Sequence, residues 1–246
     1  MQTTQNAPVG RIHSFQSLGA VDGPGLRYVV FLQGCPLRCV YCHNPDTWDF
    51  AGGEAYTVDR VLQKVRRCAP YLKNGGVTLT GGEPLAQSGF AAALLAAARA
   101  EGFHTALDTA GAASLGDAKA VLAHTDLLLL DVKFTTGQEY RRYTGGSLEH
   151  TLKVLELARG MGVPAWLRHV VAPGLNDGPA AAARLGQLAR RYENVQRVEL
   201  LPFRNLCAEK YDALGLAFPL AGTPPADESH LAPFYAALGG LAAAPE

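Results

Sequence analysis

No run of 18 or more apolar residues occurs anywhere in the 246-residue chain, so nothing in it reads as a membrane-spanning helix. An excess of charge of either sign is also missing. Lys plus Arg and Asp plus Glu number 22 each and the formal net charge is zero. No overall field therefore draws the chain to nucleic acid or to an anionic membrane. The first ten residues carry no basic-then-apolar signal pattern, and the expectation is a cytoplasmic protein. Cysteine is scarce, with five residues, an odd number that suits no disulfide framework. Isoleucine occurs once, at Ile12, which is a compositional bias without mechanistic content. Disorder is excluded by 48% hydrophobic residues. No internal repeat or linker interrupts the chain. It reads as one domain over 1–246, with a core at about 10–205 and a C-terminal extension at about 206–246.

What is present is alternation. The apolar run Arg27 to Leu32 stops at Gln33-Gly34. A helix is predicted from about Thr57 to Ala69, with Thr57 as its cap and Val58, Leu62 and Val65 on one face. Val77 to Thr80 reads as a strand halted by Gly81-Gly82, followed by an Ala/Leu-rich helix from about Ser88 to Ala100. The strand Thr105 to Leu107 runs into Asp108-Thr109, and a helix follows from about Ser114 to Leu122. Asp126 to Asp131 holds four consecutive leucines, as in a strand buried on both faces. Further helices are predicted at about Leu148 to Met161, Ala180 to Tyr192 and Asp227 to Leu238, and further strands at Ala165 to Val171 and Val198 to Phe203. Six strand-then-helix alternations predict an α/β fold with a parallel sheet, either flat and doubly wound or curled as part of a barrel. The terminal Ala-Ala-Ala-Pro-Glu is expected to fray.

Polar residues gather where these strands end: Cys35, Glu83, Asp108 and Thr109, Asp131 and Lys133, and Arg204, with Arg168 inside an apolar strand. Parallel α/β folds build their sites at the carboxyl ends of strands, so these residues are expected to converge on one pocket. Taken singly, each is equally well read as a polar marker of a strand end. Asp108, Thr109 and Asp131 offer hard oxygen ligands or, as the plainer alternative, a hydrogen-bond network. Gly81-Gly82-Glu83 reads on its own as a turn with a solvated carboxylate.

Three cysteines lie within eight residues, as Cys35-Pro-Leu-Arg-Cys39-Val-Tyr-Cys42. A structural zinc site is one reading, with Cys39 and Cys42 as a ligand pair. It lacks a second paired knuckle, because Cys68 and Cys207 are isolated and His43 directly follows Cys42. Three thiolates suit an iron–sulfur cluster that leaves one iron without a protein ligand.

The Cys-x3-Cys-x2-Cys spacing with Tyr41 before the last cysteine resembles the radical S-adenosylmethionine (SAM) superfamily. The segments Gly10 to Ser14, Val21 to Arg27, Tyr41 to Trp48, Thr80 to Glu83, Leu107 to Thr109, Leu130 to Lys133, Leu167 to Val171 and Glu199 to Pro202 are similar, in order, to its glycyl radical enzyme activating family, in the branch that acts on pyruvate formate-lyase. The resemblance implies an incomplete (β/α)6 TIM-like barrel and an oxidoreductase that cleaves SAM reductively at a [4Fe–4S] cluster to install a glycyl radical. It assigns Cys35, Cys39 and Cys42 to the cluster. Tyr41, Cys42, His43, Gly81, Gly82, Glu83, Asp131, Val132, Lys133, Arg168 and Arg204 fall around SAM. Asp108, Thr109 and Asp131 are assigned to a monovalent cation, and Asp22 and His43 to the substrate peptide.

The implied partners are the glycyl radical loop of pyruvate formate-lyase and flavodoxin or ferredoxin as electron donor, with a monomeric activase. A different glycyl radical enzyme is the alternative target, and a zinc or iron–sulfur binding protein without catalysis the alternative class. The chain departs from the family at Phe203-Arg204, where the branch carries Tyr-His. It departs again at Asn205 to Tyr211, which replaces a Gly- and Lys-rich loop. No cysteines lie between Cys42 and Gly81, so no insert bearing extra clusters is expected.

Overall fold

A computed structural model describes residues 8–243. In chain order the strands are β1 (Val9–Gly19), β2 (Arg27–Leu32), β3 (Glu54–Thr57), β4 (Gly76–Gly81), β5 (His104–Thr109), β6 (Leu127–Asp131), β7 (Ala165–Val171), β8 (Val195–Pro202) and β9 (Ala242–Ala243). The helices are α1 (Val58–Cys68), α2 (Ser88–Ala100), α3 (Leu115–Leu122), α4 (Gly137–Thr144), α5 (Leu148–Gly160), α6 (Pro179–Arg191), α7 (Ala208–Ala213) and α8 (Glu228–Leu238). Among the described residues the strands form one sheet in the order β3-β1-β2-β4-β5-β6-β7-β8-β9, which does not close on itself. The six strands from β2 to β8, leaving out β3, are parallel neighbours in sequence order, as expected for an incomplete (β/α)6 barrel.

The sheet extends beyond that expectation. β1 pairs antiparallel with both β2 and β3. These two strands escape a reading based on apolar runs because β1 is polar along much of its length and broken by two register shifts, while β3 has only four residues. α4 was also not expected. It is capped by Thr136, whose side chain accepts from Glu139 N, and it stops at Gly145 with φ +77°. β8 begins three residues earlier than Val198. Ala242–Ala243, the first part of the end expected to fray, pairs with Val198–Glu199, and the rest of that end lies outside the described residues.

The period of two along each strand separates core from site. Leu128 and Leu130 face the helices in the main core, whereas Leu127 and Leu129 pack with Ala106 and Trp166 in a second cluster. On that second face, toward the strand ends, stand Phe31, Thr80, Asp108, Asp131, Arg168 and Leu201, all lining one cavity. At the other end of the strands Arg27 is fully buried. It donates to Thr78 Oγ1 at 2.8 Å, Val77 O at 2.8 Å and Pro24 O at 3.3 Å, and burial pulls its pKa down to about 10. Thr78 passes the chain of bonds on, donating to Asp22 O at 2.7 Å. This fixes the loop after β1 beneath the cavity.

Thr78→Val is nearly isosteric but strands both Arg27 Nε and the Asp22 carbonyl in a buried setting. It is expected to cost about 2 kcal/mol in urea unfolding, and a cost below about 0.5 kcal/mol would contradict this account.

Candidate functional site

The cysteine loop is held by backbone hydrogen bonds and by Leu37, Cys39 and Tyr41, which are buried in one apolar cluster. Gly34 N donates to Thr47 O at 2.7 Å and Cys35 N to Trp48 O at 3.4 Å. Arg38 N and Val40 N donate to Thr144 O and Tyr143 O, each at 2.9 Å, and Cys42 N to Cys39 O at 3.0 Å. α4, which sequence reading missed, thus ends on the carbonyls that anchor this loop. Gly81, with φ +112°, and Gly82 bring the end of β4 close to it: a Cβ on Gly82 would lie 2.2 Å from Gly34 O. Only glycine allows that approach.

Cys35, Cys39 and Cys42 are free thiols bordering the same cavity, which measures about 340 Å³. Burial pushes Cys35 and Cys39 up to about 12, so they stay protonated until a metal displaces the proton. Among the described residues no three His, Cys, Asp or Glu side chains close on a single-ion position. The donor set is three soft thiols around a space, with Cys68 and Cys207 outside the lining, and it fits a multi-iron cluster with one open iron.

Most of the other expected residues converge on this cavity. Asp22, Tyr41, His43, Gly81, Gly82, Asp108, Thr109, Asp131, Lys133 and Arg168 line it. Arg168 pairs with Asp108 at 3.1 Å and with Glu199 at 3.3 Å, and donates to Val21 O at 3.2 Å. Burial works against its charge, but Asp108, Asp131, Glu199 and Asp22 together hold its pKa above the usual value. Burial pushes Asp108 up to about 6 despite Arg168, and Thr80 donates to its Oδ2 at 2.7 Å. The other oxygen, Oδ1, is buried without a hydrogen-bond partner. Lys133 Nζ lies 2.5 Å from Asp131 Oδ2, and Tyr41 anchors the Lys133 backbone by donating to its carbonyl at 2.9 Å. His43 donates from Nε2 to Arg204 O at 2.9 Å.

Three residues sit differently from the expectation. Glu83 is buried away from the cavity lining. Its carboxylate accepts from Thr109 Oγ1 at 2.5 Å, Leu85 N at 3.0 Å, Ala110 N at 3.1 Å and Ala112 N at 3.2 Å. Burial raises its pKa and these four donors pull it back. Its contacts fix the turn after β5, and only the neighbouring glycines face the cavity. The Arg204 side chain is exposed and outside the lining, and only its carbonyl serves the site. Val132 is buried, and its carbonyl accepts from His169 Nδ1 at 2.6 Å.

Thr80 and Glu199 were given no role by sequence reading. For Glu199 the signal was available: a cation midway along a strand requires an acid on the same face of a neighbouring strand, and Glu199 stands opposite Arg168 in the ladder.

The Radical SAM superfamily profile matches residues 29–185. A pyruvate formate-lyase-activating enzyme from Clostridium pasteurianum is 44% identical over 214 residues, 86% of this chain and 90% of that protein. One from Staphylococcus aureus (strain USA300) is 40% identical over 236 residues, 92% of this chain and 94% of that protein. Among solved structures, a domain of a pyruvate-formate lyase-activating enzyme from Bacteroides vulgatus ATCC 8482 superposes with TM-score 0.58 at 22% identity, over 70% of this chain and 99% of that one. A radical SAM methyltransferase from Sphaerobacter thermophilus superposes with TM-score 0.65 at 15% identity, over 89% of this chain and 66% of that one. At these identities the structural likeness is one of fold.

Glu83→Gln places an amide N–H₂ against backbone N–H donors and loses acceptor capacity. It is expected to lower stability by about 2–3 kcal/mol in chemical unfolding, and an unchanged unfolding midpoint would contradict the role given to this carboxylate.

Proposed function

The chain belongs to the radical SAM superfamily and, within it, to the family of pyruvate formate-lyase-activating enzymes, and from that premise we propose that it installs a glycyl radical on pyruvate formate-lyase. The observation that carries the reading is the meeting of three thiols with a charged, partly buried strand-end cavity. A bound [4Fe–4S] cluster with SAM supplies the reductive cleavage of the sulfonium, giving methionine and a 5′-deoxyadenosyl radical that takes a hydrogen atom from the target glycine.

The chain's own residues bind, orient and exclude water. Cys35, Cys39 and Cys42 would hold the cluster, and three protein ligands would leave one iron free to bind SAM. Gly81 and Gly82 let the backbone of β4 approach the methionyl amine, and Glu83 serves it indirectly by fixing the turn at Thr109 to Ala112. Lys133 and Arg168 provide positive charge for a carboxylate, each already oriented by an acid. The unpartnered Asp108 Oδ1, with Thr109 and Asp131 beside it, suits a monovalent cation next to that carboxylate. Tyr41, Val132 and Arg204 act through position: the first two fix the Lys133 backbone, and the third holds His43 by its carbonyl. Asp22, on the cavity floor, and His43, at its exposed rim, face the path of an entering peptide. The electron comes from flavodoxin or ferredoxin, and the chain works as a monomer of one domain. No described helix is long and apolar enough to cross a membrane.

Anaerobically reconstituted protein is expected to make 5′-deoxyadenosine from SAM and to raise a glycyl radical signal on pyruvate formate-lyase by electron paramagnetic resonance. A radical on another glycyl radical enzyme, with none on pyruvate formate-lyase, would overturn the substrate assignment. Cys35→Ala, Cys39→Ala and Cys42→Ala are each expected to lower the bound iron well below four per chain and to abolish product. Cys68→Ala and Cys207→Ala are expected to keep about four iron and four sulfide. Loss of iron in Cys207→Ala would show that the open iron has been misassigned.

A further inference from the structure

A second cavity, of about 380 Å³, adjoins the first and has no part in the mechanism above. Leu37, two residues from both Cys35 and Cys39, lines it, and Ala110 lines both cavities. Ala112, Tyr140, Arg141 and His150 contribute from the turn after β5, from α4 and from α5. Neither Asp22 nor His43, which face the proposed peptide path, belongs to its lining. Its polar groups are already engaged: Tyr140 Oη lies 2.9 Å from Thr151 Oγ1, which donates to Ala110 O at 2.9 Å, and His150 Nε2 donates to Ala113 O at 2.5 Å. The wall therefore offers an entering group mainly apolar surface. Beside it the charge is positive. Arg141 and Arg142 stand in the last turn of α4, and the next two carbonyls, of Tyr143 and Thr144, hold the amides of Val40 and Arg38. Arg38, Arg141 and Arg142 are exposed, and among the described residues none has a carboxylate partner. The acids nearby are engaged elsewhere. Glu139 accepts from Thr136 Oγ1 at 2.6 Å, Glu149 pairs with Lys153 at 2.7 Å and Asp46 with Lys210 at 3.1 Å. By contrast Arg60, Arg66, Arg99 and Arg159 pair with Glu54, Glu101, Asp126 and Glu156. The last turn of a helix favours cations in its own right, but Arg38 lies in the loop, outside any helix.

We propose that this face is the electron-entry dock, where an acidic flavoprotein seats the apolar edge of its flavin against Leu37 and sets its carboxylates over Arg38, Arg141 and Arg142. The inference rests on the reading of Cys35, Cys39 and Cys42 as cluster ligands. The reduced flavin loses one electron, [4Fe–4S]²⁺ gains it to become [4Fe–4S]⁺, and no bond forms or breaks in either protein. Electron transfer slows steeply with distance, and Leu37 is the residue of this cavity that lies between two of the cluster cysteines. Redox encounters bury little surface and are short-lived, so complementary charge has to supply the orientation and the on-rate. Three unpaired guanidinium groups on a chain of zero net charge make a local field suited to that task. The dock also stays clear of Asp22 and His43, so a donor and a target peptide can be bound together. Arg38 is tied to the loop itself by donating to Cys35 O at 2.7 Å and Leu37 O at 2.8 Å.

The test takes flavodoxin as the probe and the cluster-loaded protein as wild type, as Arg141→Glu with Arg142→Glu, and as Arg67→Glu with Arg191→Glu. The last pair makes the same change of net charge at exposed residues of α1 and α6. Binding is measured by calorimetry and cluster reduction by electron paramagnetic resonance. At low ionic strength the change at 141 and 142 is expected to weaken flavodoxin binding by about tenfold or more and to slow cluster reduction in parallel, with the difference shrinking to about twofold in high salt. The change at 67 and 191 is expected to stay within about twofold of the wild type. With dithionite as a small reductant, all three proteins are expected to make 5′-deoxyadenosine at the same rate. No weakening at 141 and 142, or equal weakening in both pairs, overturns the proposal. So does reduction of the wild-type cluster by ferredoxin but not by flavodoxin.

If the change at 141 and 142 prevents folding or cluster uptake, the wild type decides the question. Amide hydrogen exchange of the holoenzyme is expected to slow on addition of flavodoxin in residues 37–38 and 141–150, and protection confined to other segments overturns the proposal. A wild-type protein that holds no cluster overturns the reading of the cysteines along with this inference, whereas a full cluster with flavodoxin bound at another face overturns this inference alone.

Discussion

A guanidinium buried in the middle of a strand has to be neutralised by its neighbours, and in this protein the answer to the Arg168 charge organises the cavity. Asp108 comes from β5 and Glu199 from β8, while the carbonyl of Val21 comes from the loop after β1. Leaving any of these charges alone in so dry a place would cost far more than a surface pair gains. Register, strand order and the path of the first loop are therefore tied together by electrostatics. Thr80 extends the set by donating to Asp108, and Thr78 with Arg27 repeats the device lower in the sheet. The result is a preorganised polar surface at the strand ends, whose dipoles are already oriented before a ligand arrives.

The cysteine loop answers a different constraint. Three sulfurs must face one space, and the loop that carries them is fixed both by its backbone and by Leu37, Cys39 and Tyr41, which are buried in one apolar cluster. The carbonyls of Thr47, Trp48, Tyr143 and Thr144 supply the backbone anchoring, and Gly81 and Gly82, at and just past the end of β4, let the neighbouring chain come within contact distance. Further along, α7 closes over the segment after Cys42: Lys210 Nζ lies 2.8 Å from Asn44 Oδ1 and 3.1 Å from Asp46 Oδ2, and Tyr211 donates to Cys42 O. This strap belongs to the stretch where the chain departs from the glycyl radical activase pattern. Its contacts here are with the cysteine loop and the segment after it, so the departure changes how that loop is held.

Much of this was legible in the residues because it follows from local periodicity. The leucines of β6 announce a strand buried on both faces, and the structure divides them two to each side. β2 and β7 fall at the residues where their apolar runs begin and end. β1 and β3 were not legible, since a polar, irregular strand on the antiparallel side of a sheet carries no apolar signature. Glu83 shows the same limit in the site. Its place after a Gly-Gly turn suggests a ligand, but only tertiary contacts bring the N–H groups of Ala110 and Ala112 and Thr109 Oγ1 to its carboxylate.

The sequence by itself determined the alternation of strands and helices, the three clustered thiols and the charges at strand ends, because each is written in residues close together along the chain. Only the tertiary structure decided which of those charges share a cavity and which are consumed in holding a turn. Hydrogen bonds and ion pairs depend on distances of a few ångströms between residues as far apart as Tyr41 and Lys133, or Asp108 and Arg168. Such distances exist only once the sheet has set its register and the loops have closed over its end.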